Sequence, residues 1–181
     1  MKPTVTFLAV AILATSRLDA QAAPGPIGLG GAITVAGPGT SFSVYVPITL
    51  GSRRRLEPEV ALQRTSSNQT ATMTLLFGTG FLLLSRPRDG TLLYAGPRVG
   101  VATTRNTFTD PFTGTTRFKR FDWYARAVAG AEHLLSSHFS LGGEVRLSYT
   151  HIGKTTGGGS PPGPSVSQIG TGAAALLRWY F

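Results

Sequence analysis

From Ile27 to Phe181, hydrophobic residues recur at every second position rather than every third or fourth. That period places alternate side chains on opposite faces of an extended chain, so it predicts β-strands. Gly, Pro, Ser, Thr and Arg break the pattern into eight segments, at about 27–36, 41–50, 56–64, 71–84, 91–104, 118–135, 139–152 and 168–181. Each predicted strand splits into two columns. In the sixth, one column reads Phe121, Trp123, Ala125, Ala127, Ala129, Ala131 and the other Asp122, Tyr124, Arg126, Val128, Gly130, Glu132. The seventh sets Leu141, Gly143, Val145, Leu147, Tyr149 against Gly142, Glu144, Arg146, Ser148, Thr150. In the strands' central parts no apolar column contains Asp, Glu, Lys or Arg. Within those central parts the opposite columns carry nine charges: Glu57, Glu59, Arg98, Asp122, Arg126, Glu132, Glu144, Arg146 and Arg178.

Two architectures use such a pattern. A soluble sandwich or barrel turns the apolar column inward, whereas an outer-membrane barrel turns it toward lipid and the polar column toward a lumen. Four features favour the second. Small residues (Gly78, Gly80, Gly96, Gly100, Gly130, Gly142) crowd the polar column, as a narrow eight-stranded interior requires. Its acids are matched by arginine, the cation suited to buried bidentate carboxylate pairs. Phe42, Phe121, Trp123 and Tyr149 mark one end of the apolar column, and Phe139, Trp179 and Phe181 mark the other, as two interfacial girdles do. Connections at 51–55, 85–90 and 136–138 are short, and those at 105–117 and 153–167 are long, which predicts periplasmic turns and external loops respectively. The expected fold is all-β, an eight-stranded antiparallel up-and-down transmembrane β-barrel. A soluble lipocalin-like carrier stands as its rival.

Composition sharpens this picture. Charged residues are only 14% of the chain, there are 23 glycines, and cysteine is absent, which excludes disulfides and thiolate metal sites. The net charge of +9 comes from scattered positives, with Arg53-Arg54-Arg55 the only run, a pattern that argues against nucleic acid. Residues 1–22 read as a cleaved secretory signal peptide: Lys2, an apolar run from Val5 to Ala14, and the small-x-small triplet Ala20-Gln21-Ala22. The barrel domain is then expected over 23–181, in a bacterial outer membrane.

Three stretches resemble the OmpA/OmpX-type family of eight-stranded outer-membrane barrels: Leu92 to Gly100, His138 to Tyr149, and the terminal Arg178-Trp179-Tyr180-Phe181. The resemblance covers about residues 27–181 and implies a Gram-negative cell-envelope protein with a structural or surface-interaction role. It includes no peptidoglycan-binding domain, so the tethering role of longer members is not carried over. The outward residues Leu177, Trp179 and Phe181 resemble the C-terminal signal read by the outer-membrane barrel assembly machinery.

Candidate chemistry is sparse. His138-Phe139-Ser140 with Glu144 resembles the catalytic groups of lipid A deacylases, but it falls at a periplasmic turn with Glu144 facing inward, so no catalytic residues are assigned. Gly28-Leu29-Gly30-Gly31 lacks the strand-to-helix setting of a dinucleotide site. His133, His138 and His151 have no clustered partners, and neither metal nor cofactor is expected. Arg105, Arg117, Lys119, Arg120 and Lys154 are candidate lipopolysaccharide contacts at the outer rim. The nine column charges are expected to interlock as a salt-bridge plug, with a small porin-like channel as the alternative. The remaining expectations are a monomer among outer-membrane lipids and no nucleic-acid partner.

Overall fold

The alternation becomes hydrogen-bonded strand over most of the chain in the computed structural model, which describes residues 24–36, 39–67, 69–110, 112, 114–158 and 162–181. The expected signal peptide lies outside the described residues. The strands are β1 (Gly28–Ala36), β2 (Gly39–Tyr45), β3 (Ile48–Leu50), β4 (Arg54–Ser66), β5 (Thr70–Arg88), β6 (Thr91–Asp110), β7 (Gly114–Leu134), β8 (Phe139–Ile152), β9 (Thr156–Gly157) and β10 (Val166–Tyr180). Each pairs antiparallel with its neighbours in chain order, and β10 returns to β1. Closure leaves no long unpaired edge. β2 and β3 are halves of one wall strand, and β9 adds a single step beside β7, so the wall has the eight strands that the periodicity predicts.

Proline explains the split between β2 and β3. The ladder to β4 runs through Tyr45↔Glu59, lapses at Val46 and Pro47 opposite Glu57 and Pro58, and resumes at Ile48↔Leu56 in the same register. Neither proline can donate to the ladder, and the register sets Pro58 opposite Val46 and Pro47 opposite Glu57. Val46 still donates to the Pro58 carbonyl at 3.0 Å. Pro97 lies inside β6. There the ladder to β5 lapses between Gly80↔Arg98 and Leu83↔Ala95, while the pairing to β7 continues through Pro97↔Ala127.

The expected connections also change. β6 and β7 remain paired out to Asp110↔Gly114, so the loop expected over 105–117 is largely a hairpin extension of the wall. Its alternation fails there because Thr, Arg and Asn occupy both columns, yet backbone pairing needs no apolar side chain. The segment expected at 153–167 contributes β9, which pairs with Phe118 and Lys119. On the opposite end, β5 runs to Arg88, leaving a tight turn at Asp89–Gly90 in which Gly90 has φ +72°. β4 begins at Arg54, so Arg55 belongs to the wall and not to the turn expected at 51–55. The end holding these turns and Tyr180 is called the near end below, and the end holding Asp110 and Gly114 the far end.

Burial follows the two columns. Val145 is 62% exposed, Leu147 53% and Leu177 49%, while their strand neighbours Glu144, Arg146 and Arg178 are buried. An apolar exterior of this extent around a charged interior is the inverted arrangement of a membrane barrel, not that of a soluble carrier. The interior is not wholly polar. Leu82, Leu84, Leu92 and Leu176 point inward and cluster with Ala32, Tyr45, Tyr94 and Val128.

Candidate functional site

The inward column places odd-numbered residues of β4 and even-numbered residues of β6, β7, β8 and β10 in the lumen. Four strands converge on two glutamates. Glu57 accepts from Arg98 at 2.6 Å, Arg178 at 3.0 Å and Arg55 at 3.4 Å. Glu132 accepts from Arg55 at 2.5 Å, Tyr180 at 2.7 Å and Ser140 at 3.0 Å, and it also pairs with Arg178. Glu144 joins through Arg98 at 2.9 Å and Arg146 at 2.5 Å. Charge-assisted bonds of this length are the strong ones, and the desolvation of each ion requires them.

Tyrosines flank the cations. The Arg178 guanidinium lies 4.9 Å from the Tyr45 ring centre and 5.0 Å from that of Tyr94, and Arg55 sits 5.6 Å from Tyr180. Rings fit in so narrow a lumen because the facing positions are glycine. A Cβ on Gly130 would overlap the Tyr94 ring and come 2.7 Å from the Gly143 carbonyl oxygen. Glycine and tyrosine thus divide the lumen between bare backbone and ring.

Arg55 was missed by the column reading because it closes the basic triplet Arg53-Arg54-Arg55, which reads as a turn. Its spacing to Glu57 and Glu59, two and four residues on, was the available signal. It is fully buried. Of the nine expected lumen charges, Glu57, Glu59, Arg98, Glu132, Glu144, Arg146 and Arg178 gather in one network, while Arg126 touches it only through Glu59 at 4.0 Å. Asp122 stands apart. It accepts from Arg120 at 2.9 and 3.0 Å and from the Gly153 backbone at 3.0 Å, tying β7 to the chain after β8. Arg120, expected as a lipopolysaccharide contact, occupies the inward column and is held by Asp122. Arg105, Arg117, Lys119 and Lys154 are exposed, and among the described residues none forms an ion pair.

The expected girdle residues face outward and form two separate clusters. Trp123 contacts Tyr149 and His151 at 5.3 and 5.7 Å between ring centres; Trp179 contacts Phe139 at 6.0 Å and His138 at 6.2 Å. Phe42, Phe121, Leu177 and Phe181 are exposed on the same outward face. His138 and Ser140 are not brought together. His138 Nδ1 lies 2.8 Å from Ser137 Oγ, while Ser140 points inward to Glu132.

Comparison with known proteins agrees with this geometry. The barrel superposes on Neisserial surface protein A (NspA) with a TM-score of 0.51 at 12% identity, covering 86% of this chain and 94% of that one. A major outer membrane protein from Thermus thermophilus gives 0.51 at 12% identity, with 83% and 98% covered. At these identities the likeness concerns the fold. No curated protein matches the sequence significantly. The family model for the outer membrane protein beta-barrel domain matches residues 5–175. With that match spanning nearly all of a closed, apolar-faced barrel, the chain belongs to the outer membrane protein β-barrel family.

Proposed function

We propose that this chain is a non-enzymatic, monomeric barrel of the bacterial outer membrane, closed to solutes by its Arg–carboxylate network and acting through its outer surface in envelope integrity or surface interaction. The observation that carries this reading is the burial of Arg55, Glu57, Arg98, Glu132 and Arg178, each at most 1% exposed, across the lumen. A conducting path needs water beside these groups. On this reading the near end is periplasmic, and Leu177, Trp179 and Phe181 present the outward face that the barrel assembly machinery recognises.

The outer surface supplies a binding feature. Arg105 and Lys119 are direct cross-strand neighbours on β6 and β7, two like charges side by side with no carboxylate partner among the described residues. With Lys154 and Phe121 they border a recess of about 380 Å³. Like charges so placed repel unless an anion bridges them, and the adjoining outward aromatics put them at headgroup depth. Lipopolysaccharide phosphates fit this arrangement, with Arg117 one outward-facing position farther out along β7.

The test is planar-bilayer recording of refolded protein, wild type against Glu57→Ala. The closed-lumen reading expects silence from the wild type and openings in the variant. Steady wild-type conductance would replace it with the small porin-like alternative. Catalysis on lipid A would appear as a change in lipid A mass that is lost in Ser140→Ala; the expected result is no change in either.

A further inference from the structure

The far half of the lumen holds a cavity that the closed network does not use. Five guanidiniums (Arg55, Arg98, Arg126, Arg146, Arg178) face four carboxylates (Glu57, Glu59, Glu132, Glu144), an excess of one positive charge. That excess is localised. Arg98 and Arg126 are direct cross-strand partners, but Arg98 has Glu57 at 2.6 Å and Glu144 at 2.9 Å. Among the described residues Arg126 has only Glu59, at 4.0 Å and shared with Arg98, and the Tyr124 ring 3.9 Å from its guanidinium carbon. Among the described residues Arg126 makes no hydrogen bond, although its guanidinium carries five N–H donors.

The space beside it is built for a ligand rather than left over by loose packing. A cavity of about 180 Å³ is lined by Arg126 and Arg146, the hydroxyls of Thr34, Ser148 and Thr150, and the Gln168 amide. These come from four consecutive wall strands, β7, β8, β10 and β1. The volume is several times one water's share of liquid, about 30 Å³. Arg146 is held in place from below by Glu144 at 2.5 Å and from the side by Thr34 Oγ1 at 2.9 Å. β10 presents Gly170 and Gly172 to the same space, and a Cβ on Gly170 would meet nothing within 4 Å. Gln168 and Gly170 are exposed, so the cavity is reached from the far end.

We infer that this vestibule is a binding site for a small oxyanion of the phosphate or sulfate class, held by Arg126 and Arg146 with hydroxyl and amide donors completing its shell. The chemistry selects the ligand: two guanidiniums and a set of neutral donors suit tetrahedral oxyanions, and a cation would meet the uncompensated Arg126. The site lies on the far side of the closed network and goes beyond the proposed role. It stands whether or not the lumen conducts.

The test uses the full chain refolded in a zwitterionic detergent at low salt, with folding verified by gel mobility and inorganic phosphate as the probe, followed by calorimetry. Saturable binding with a Kd of about 1 mM is expected. Arg126→Gln should weaken it by about tenfold or more. Gly170→Leu keeps every charge and fills the space, and it should abolish binding in a protein that still folds. Sulfate should compete with phosphate. No saturable binding to folded wild type, or equal binding by wild type and both variants, would overturn the site. Bilayer conductance is recorded separately, so failure here is distinguishable from failure of the closed-lumen reading.

Discussion

The two halves of the lumen are made from the same residue types and behave as different materials. In the near half, Arg55, Arg178, Glu57 and Glu132 pack with Tyr45 and Tyr180, all at most 2% exposed. In the far half, Arg126 and Arg146 share a cavity with hydroxyls, an amide and two glycines. Both halves use arginine on an antiparallel ladder. The difference lies in what opposes it. Near the turns every lumen guanidinium meets a carboxylate and a ring, so volume and charge close together; farther out, beyond Glu59, Asp122 is taken up by Arg120, and the side chains around Arg126 and Arg146 shrink to Ser, Thr and Gly. On the proposed reading, a lumen is packed shut at one level and holds a cavity for a ligand at another.

The largest way to break the near half is to remove one anion. Glu132→Ala strips partners from Arg55, Arg178, Tyr180 and Ser140 together. Truncating one partner of a buried ion pair costs about 3–5 kcal/mol, because the remaining charges stay buried without compensation. The temperature at which the folded gel band converts to the unfolded one should fall well below that of wild type. Conversion at an unchanged temperature would mean that the near half is solvated and that the contrast between the halves is wrong.

Glycine substitutions sharpen the same contrast sterically. Gly130→Val forces a branched side chain into the Tyr94 ring and the Gly143 carbonyl, and overpacking of this kind costs about 1–3 kcal/mol. Gly170→Leu, a larger addition, enters open space and should change stability by no more than about 0.5 kcal/mol. Denaturant unfolding in detergent reads both. Equal costs would show that the far cavity collapses onto the introduced side chain.

How much of this was legible in the sequence depends on which force set each feature. The wall strands, their inward and outward columns and the apolar belt follow from a period of two, which Phe121 to Ala131 displays without interruption. Strand ends were misjudged where backbone pairing continues after alternation stops, as at Arg105 to Asp110. Arg55 was hidden because it closes a run of three arginines, and only its phase with Glu57 and Glu59 betrays it. Asp122 and Arg120 share the inward column with the network, yet their height along the barrel gives them to each other. Column membership is a one-dimensional fact; level depends on strand tilt and register, which a single strand's sequence does not carry. The far cavity was illegible for the same reason, since Thr34, Arg126 and Gln168 meet only after closure joins β1 to β10.

Arg126→Gln separates the two halves by stability alone. Its ionic contact is a shared 4.0 Å pair, so the loss should stay within about 1 kcal/mol, several-fold less than for Glu132→Ala. Matching costs for the two variants would place Arg126 inside the buried near-half network.

The smallest expected stability effect lies outside the barrel, at Arg105, Lys119 and Lys154. Their exposure, and the lack of carboxylate partners among the described residues, mean that Arg105→Gln with Lys119→Gln and Lys154→Gln removes repulsion and no attraction, so the folded state should be unaffected or slightly more stable. Binding of lipopolysaccharide to the detergent-refolded barrel should nevertheless weaken by about fivefold for each charge removed at low salt. The difference between variant and wild type should fade as salt shortens the screening length to a few ångström, about 3 Å at 1 M. A deficit that persists at high salt would point to lost packing against Phe121 rather than lost charge, and the recess would then be an apolar contact instead of a phosphate site.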